Sequence, residues 1–115
     1  RSFCFVDDLV DGLLRLARHE GEQPGPVNMG NPVELTVSDL AERVIALTGT
    51  DARIVHRPLP IDDPRRRRPD ISLARSVLGW EPRVGLQQGL EATIAWFGQE
   101  IDQPAPELMT AVAAE

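Results

Sequence analysis

The chain is 115 residues long, with twelve basic residues against eighteen acidic ones and a formal net charge of −6. That length suffices for one small domain with a core and not for two, and the acidic balance argues against generic binding of nucleic acid or anionic membrane. No apolar run approaches the ~18 residues of a membrane-spanning helix and no signal-peptide pattern is present; the lone Cys4 excludes an internal disulfide and fits a reducing, cytoplasmic setting.

Ser2 to Val6 is aromatic and β-branched and predicts a short strand. Asp8 is then placed to cap a helix from Leu9 to about His19, with Val10, Leu13, Leu14 and Ala17 on one face. Arg15, Arg18 and His19 fall near its C-terminal end, where the helix dipole favours cations. Gly21 to Pro26 is turn-rich, and Pro26 to Met29 predicts a second strand ending at Gly30-Asn31-Pro32. Thr36 and Asp39 make a capping-box pattern for a helix to about Thr48, stopped by Gly49, with Leu40, Ala41, Val44, Ile45 and Thr48 as its stripe. Arg53 to Arg57 predicts a third strand with Ile54 and a half-buried His56 on one side.

Ser72 predicts the N-cap of a short helix over Leu73 to Leu78 that buries Ala74, Val77 and Leu78, stops at Gly79 and is pinned by Trp80. The longest predicted helix is Leu86 to Ile101. Leu86, Leu90, Thr93, Ile94, Phe97 and Ile101 form its core-facing stripe, with Trp96 at the edge. Residues 1–101 thus read as the folded portion and 102–115 as a Pro- and Ala-rich tail. No internal repeat is visible.

The densest chemistry lies in Arg65 to Arg68, four consecutive arginines between Pro64 and Pro69. Proline fixes its own φ and keeps the residue before it out of the α region, so the run is held extended. Neighbouring side chains then point to opposite sides, Arg65 with Arg67 and away from Arg66. Guanidinium groups bind phosphate by paired hydrogen bonds, and the carboxylate of Asp70 can accept from a sugar hydroxyl. The competing reading is a solvated charge run. Cys4, His19 and His56 match no zinc-ligand or Cys-His spacing, and in Asp7-Asp8 and Asp62-Asp63 the adjacent carboxylates point apart. The residues therefore nominate no catalytic group and no metal ligand.

Three segments resemble one family. Arg67-x-x-Asp70 is followed by Ala74-x-x-x-Leu78-Gly79-Trp80-x-Pro82. The chain opens Arg1-Ser2-Phe3-Cys4-Phe5-Val6-Asp7-Asp8-Leu9-Val10, and Val27-Asn28-Met29-Gly30-Asn31-Pro32 lies between. Together these resemble the C-terminal part of extended short-chain dehydrogenase/reductases, the NAD-dependent epimerase/dehydratase family, most closely UDP-glucuronate decarboxylases (UDP-xylose synthases).

The resemblance implies an α/β fold: a small C-terminal substrate-binding domain of about four helices and three short strands, the Rossmann domain missing. It implies that Arg67 grips the diphosphate of a UDP-sugar (UDP-glucuronate), that Asp70 holds the ribose, and that Arg1 supplies a second guanidinium. The parent would be a homodimeric lyase using NAD, whose binding site is not in this chain. The family's Tyr-x-x-x-Lys pair has no counterpart here, because the sequence contains no tyrosine and all twelve basic residues are arginine. The chain begins at Arg1 and reads as a piece of a larger enzyme, inactive alone and prone to self-associate. A sugar-nucleotide 4-epimerase or 4,6-dehydratase is the alternative parent, and a non-catalytic binding module the alternative of another class.

Overall fold

The structure, a computed structural model, describes residues 1–22, 25–58, 61–62 and 66–101. The tail expected over 102–115 lies outside the described residues, as do Pro64 and Arg65. Four helices are formed: α1 (Val6–Ala17), α2 (Val37–Thr48), α3 (Ser72–Leu78) and α4 (Leu86–Ile101). α2 opens on the predicted capping box, with Asp39 N donating to Thr36 Oγ1 at 3.0 Å and Thr36 N to Asp39 Oδ2 at 3.1 Å. It ends at Gly49, as predicted, and α4 occupies its predicted range.

Two helix starts differ from expectation. α1 begins at Val6 with Phe5 at its N-cap and no side-chain cap, so Asp8 does not cap it. Asp7 and Asp8 instead sit within the first turn, where the helix dipole favours negative charge. α3 begins at Ser72, after Ile71 as N-cap. Its acceptor is Asp70, whose Oδ1 takes Ser72 N at 2.9 Å and Ser72 Oγ at 2.6 Å.

None of the three predicted strands forms among the described residues. Extended backbone becomes a strand only when its N–H and C=O groups meet a neighbouring ladder. Arg1 and Leu35 exchange both backbone hydrogen bonds, at 2.8 and 2.9 Å, but as a single pair. His56 is exposed, not half-buried.

The core gathers around Trp80, which is 1% exposed, with Ala74 and Ile71 beside it and Cys4, Val27, Met29 and Leu78 packed around them. α1 meets this core with the face opposite to the predicted one. The Trp80 indole Nε1 donates to Asp8 O at 2.8 Å, and Asp8 Oδ2 accepts Val84 N at 2.9 Å. At Gly12 an added Cβ would lie 2.8 Å from Met29 Sδ and 2.9 Å from Trp80 Nε1, so only glycine allows this approach. Arg15 Nη1 donates to Gly79 O at 2.8 Å and satisfies the C-terminal end of α3. Val10, Leu13 and Leu14 are turned outward, 46%, 53% and 47% exposed.

α4 divides along its length. Leu86, Leu90 and Ile94 are half-buried and Gly89 lies against the Phe5 ring, whereas Thr93, Phe97 and Ile101 are exposed. The core-facing stripe therefore holds only in part. Trp96 and Phe97 meet edge to face, centroids 4.8 Å apart, in the open. Hydrophobic periodicity marks a face that avoids water; it does not say which element covers it. No helix of the described residues is long and apolar enough to cross a membrane.

Candidate functional site

From Arg66 the chain runs without regular structure to α3, and four contacts hold it. Arg66 forks onto Glu34, Nε to Oε1 at 3.2 Å and Nη2 to Oε2 at 2.7 Å. Ser2 Oγ donates to Arg67 O at 3.4 Å. Pro69 rests on Gly30, where a Cβ would come within 2.9 Å of its ring. Asp70 is fixed by its two bonds from Ser72.

Two adjoining hollows flank this segment. The larger, about 460 Å³, is walled by Ser2, Cys4, Gly30, Asn31, Arg67 and Arg68 among others. The second, about 380 Å³, is walled by Pro32, Arg68, Asp70, Ser72 and Arg75 among others. Arg68 and Pro69 belong to both.

Hydrogen bonds from the Ser72 side chain and backbone, then the Arg68 charge, hold the Asp70 carboxyl below its ordinary pKa. It is an anion at neutral pH. Its Oδ1 is occupied, while Oδ2 has no hydrogen bond among the described residues and can accept from a hydroxyl. Glu34 is likewise lowered, chiefly by its hydrogen bond from Arg66 and further by the charges of Arg66 and Arg68. Burial, then the charge of Asp8, pushes the Cys4 thiol up, so it stays protonated and is a poor nucleophile. Among the described residues no cluster of His, Cys, Asp and Glu can hold a metal ion.

Of the residues nominated from sequence, Arg67 and Asp70 come together in adjoining hollows. Arg1 borders neither of the two; its backbone is tied to Leu35. Arg66 turns away to Glu34, in keeping with alternation along an extended run, and Arg65 lies outside the described residues. Alternation alone missed Arg68, which it assigned to the side of Arg66 and which borders both hollows. No sequence signal distinguished it within the run.

The described residues do not fit NAD. A dinucleotide phosphate needs a glycine-rich turn opening a helix. Here α1 follows Phe5, α2 follows a closed capping box, α3 follows Ile71, and a single glycine, Gly85, precedes α4.

No family model matches the chain. In shape it is similar to the UDP-glucose 4-epimerase of Thermotoga maritima solved with UDP-glucose, with a TM-score of 0.80 and 33% identity over 89% of this chain and 32% of that one. It is also similar to MoeE5 in complex with UDP-glucuronic acid and NAD, with a TM-score of 0.77 and 29% identity over 87% of this chain and 33% of that one. The chain belongs to the extended short-chain dehydrogenase/reductases, the NAD-dependent epimerase/dehydratase family, and matches a C-terminal part of them.

Within that class its sequence is similar to the UDP-glucuronic acid decarboxylases. UDP-glucuronic acid decarboxylase 6 of Arabidopsis thaliana is 54% identical over 90 residues, 78% of this chain and 26% of that protein. UDP-glucuronic acid decarboxylase 4 of the same plant is 46% identical over 117 residues, the whole of this chain and 26% of that protein. The chain therefore spans about a quarter of the length of these relatives.

Proposed function

We propose that the chain is the nucleotide-sugar-holding portion of an NAD-dependent UDP-glucuronate decarboxylase that makes UDP-xylose. One observation carries this reading: Arg67 and Asp70 border adjoining hollows that share Arg68. An arginine bordering one hollow and an aspartate with an open carboxylate oxygen bordering the next suit a diphosphate and the ribose joined to it. Arg67 neutralises the diphosphate with Arg68 beside it, Asp70 Oδ2 accepts from a ribose hydroxyl, and Arg1 adds positive charge from a separate stretch.

NAD and the groups that exchange protons with the sugar come from the remainder of the protein. That remainder also supplies the sheet against which the extended stretches at Phe3 and Val27 pair, and it covers the outward faces of α1 and α4. The parent is cytoplasmic and homodimeric, and the chain alone turns over no substrate. A 4-epimerase is the second reading, favoured by the shape match to that enzyme. The higher identity to decarboxylases ranks first. Carbon dioxide release from UDP-glucuronate by the whole protein separates the two.

The grip is tested by titrating UDP calorimetrically into the whole protein. Arg67→Ala is expected to weaken binding roughly 10- to 150-fold, the loss of a charge-assisted contact. Asp70→Asn keeps size and one acceptor and costs less. NAD affinity stays unchanged in both. UDP binding that is indifferent to Arg67→Ala returns the arginine run to a solvated patch.

A further inference from the structure

The segment from Gly30 to Thr36 touches both arginine-bearing stretches at once. Gly30 packs under Pro69, and Asn31 Oδ1 accepts Val33 N at 2.9 Å, folding the start of the segment. Glu34 takes both arms of Arg66, at 3.2 and 2.7 Å. The next residue, Leu35, exchanges backbone hydrogen bonds with Arg1 at 2.8 and 2.9 Å. Thr36 then closes the capping box of α2, which anchors the far end. One short strap thereby fixes the stretch that carries Arg1 and the stretch that carries Arg67.

We propose that Glu34 is a positioning residue for nucleotide-sugar binding. By engaging Arg66 it sets the arginine segment so that Arg67 and Arg68 face the hollows, while its neighbour Leu35 holds Arg1 on the same strap. The role rests on the UDP-sugar reading of Arg67.

Two features separate positioning from simple charge. Both guanidinium nitrogens that Arg66 aims at Glu34 are occupied, so Arg66 is poorly available to phosphate. Glu34, moreover, is an anion beside a site proposed for an anion. On charge alone, removing it strengthens diphosphate binding; removing a positioning group weakens it. The sign of the effect at Glu34 therefore decides. The Arg66 side of the pair is open to solvent, its side chain 80% exposed against 24% for the half-buried Glu34, so the pair's effect on overall stability is small. The loss should appear at the site and leave the unfolding temperature alone.

The test uses the whole protein, UDP as the titrant and calorimetry as the readout, with Arg67→Ala as the reference variant. Glu34→Gln is expected to weaken UDP binding about three- to fivefold, the scale of an exposed ion pair. Arg66→Ala should act similarly, and the double variant should lose no more than the larger single loss, because the two side chains act as one unit. Ligand-free unfolding temperatures and NAD affinity should match wild type. If Arg67→Ala weakens UDP binding while Glu34→Gln leaves it unchanged or tighter, the pair is incidental and the positioning role falls, the UDP reading standing. Losses that add fully in the double variant also overturn it. If Arg67→Ala has no effect, both the UDP reading and the role of Glu34 are overturned.

Discussion

On its inward side α1 presents Asp8, Gly12 and Arg15 to Trp80 and the end of α3; on its outward side it presents Val6, Val10, Leu13 and Leu14 to solvent. The inward contacts are directional and limited by size: an indole N–H on a carbonyl, a guanidinium on a helix end, a glycine where no methyl fits. They are satisfied within these residues. The outward face has only apolar area to offer, and area stabilises nothing until something covers it. The difference teaches that one helix can be finished on one side and unfinished on the other. The finished side keeps Trp80, and with it α3 and the arginine segment, in place.

The largest effect is expected at the finished side. Trp80→Ala should cost about 3–5 kcal/mol, through the lost ring and a cavity against Ala74 and Met29. Urea unfolding of the whole protein followed by circular dichroism measures it, and a loss under about 1 kcal/mol would break the contrast.

The unfinished side is sharpened by making one change in two settings. Leu13→Ala should shift the stability of the 115-residue chain by less than about 0.5 kcal/mol, as at an exposed position. In the whole protein, where the remainder is proposed to cover this face, it should cost about 2–4 kcal/mol. Equal small shifts in both would mean that the face stays bare.

Gly12→Ala comes next, at about 1–3 kcal/mol for a methyl forced against the indole and Met29 Sδ. Thermal unfolding reads it, and Met29→Ala should recover part of the loss by making room.

The smallest effect is acidic. Asp39 and Asp70 are both held below their ordinary pKa, first by side-chain hydrogen bonds from Thr36 and Ser72 respectively. A carboxylate with a depressed folded pKa contributes fully above its unfolded pKa, about 4, and its contribution disappears as the pH falls through the lower folded value. Unfolding temperature should therefore be level from neutral pH to about 5 and decline below that. Asp39→Asn should make the decline shallower.

How much of this was legible in the sequence follows from the range of the interactions. The bounds of α2 and α4 were readable, because a capping box, a stopping glycine and a helical stripe act within a few residues. The orientation of α1 was not, since its apolar stripe marks a face that none of the described residues covers, and the packed side is marked by Gly12 alone. The strands were unreadable for a related reason: alternation gives the side chains of a strand, while the ladder is supplied by another segment. At the site, the order Arg67, Asp70 and Trp80 was visible as a motif. The Arg66–Glu34 fork joins residues 32 positions apart and leaves no local trace.

The two tryptophans in this sequence occupy opposite surroundings. Trp80 is 1% exposed with its indole nitrogen bonded, and Trp96 is 54% exposed with its edge against Phe97. Their fluorescence therefore separates two events that most probes merge. Iodide should quench Trp96 and spare Trp80, so the quenchable fraction of the emission counts how much of the outward surface is bare. A Trp96→Phe variant leaves a single blue-emitting indole that shifts only when the Trp80 core opens. Docking of a covering surface and loss of the inner fold can then be followed in one cuvette, without an added label.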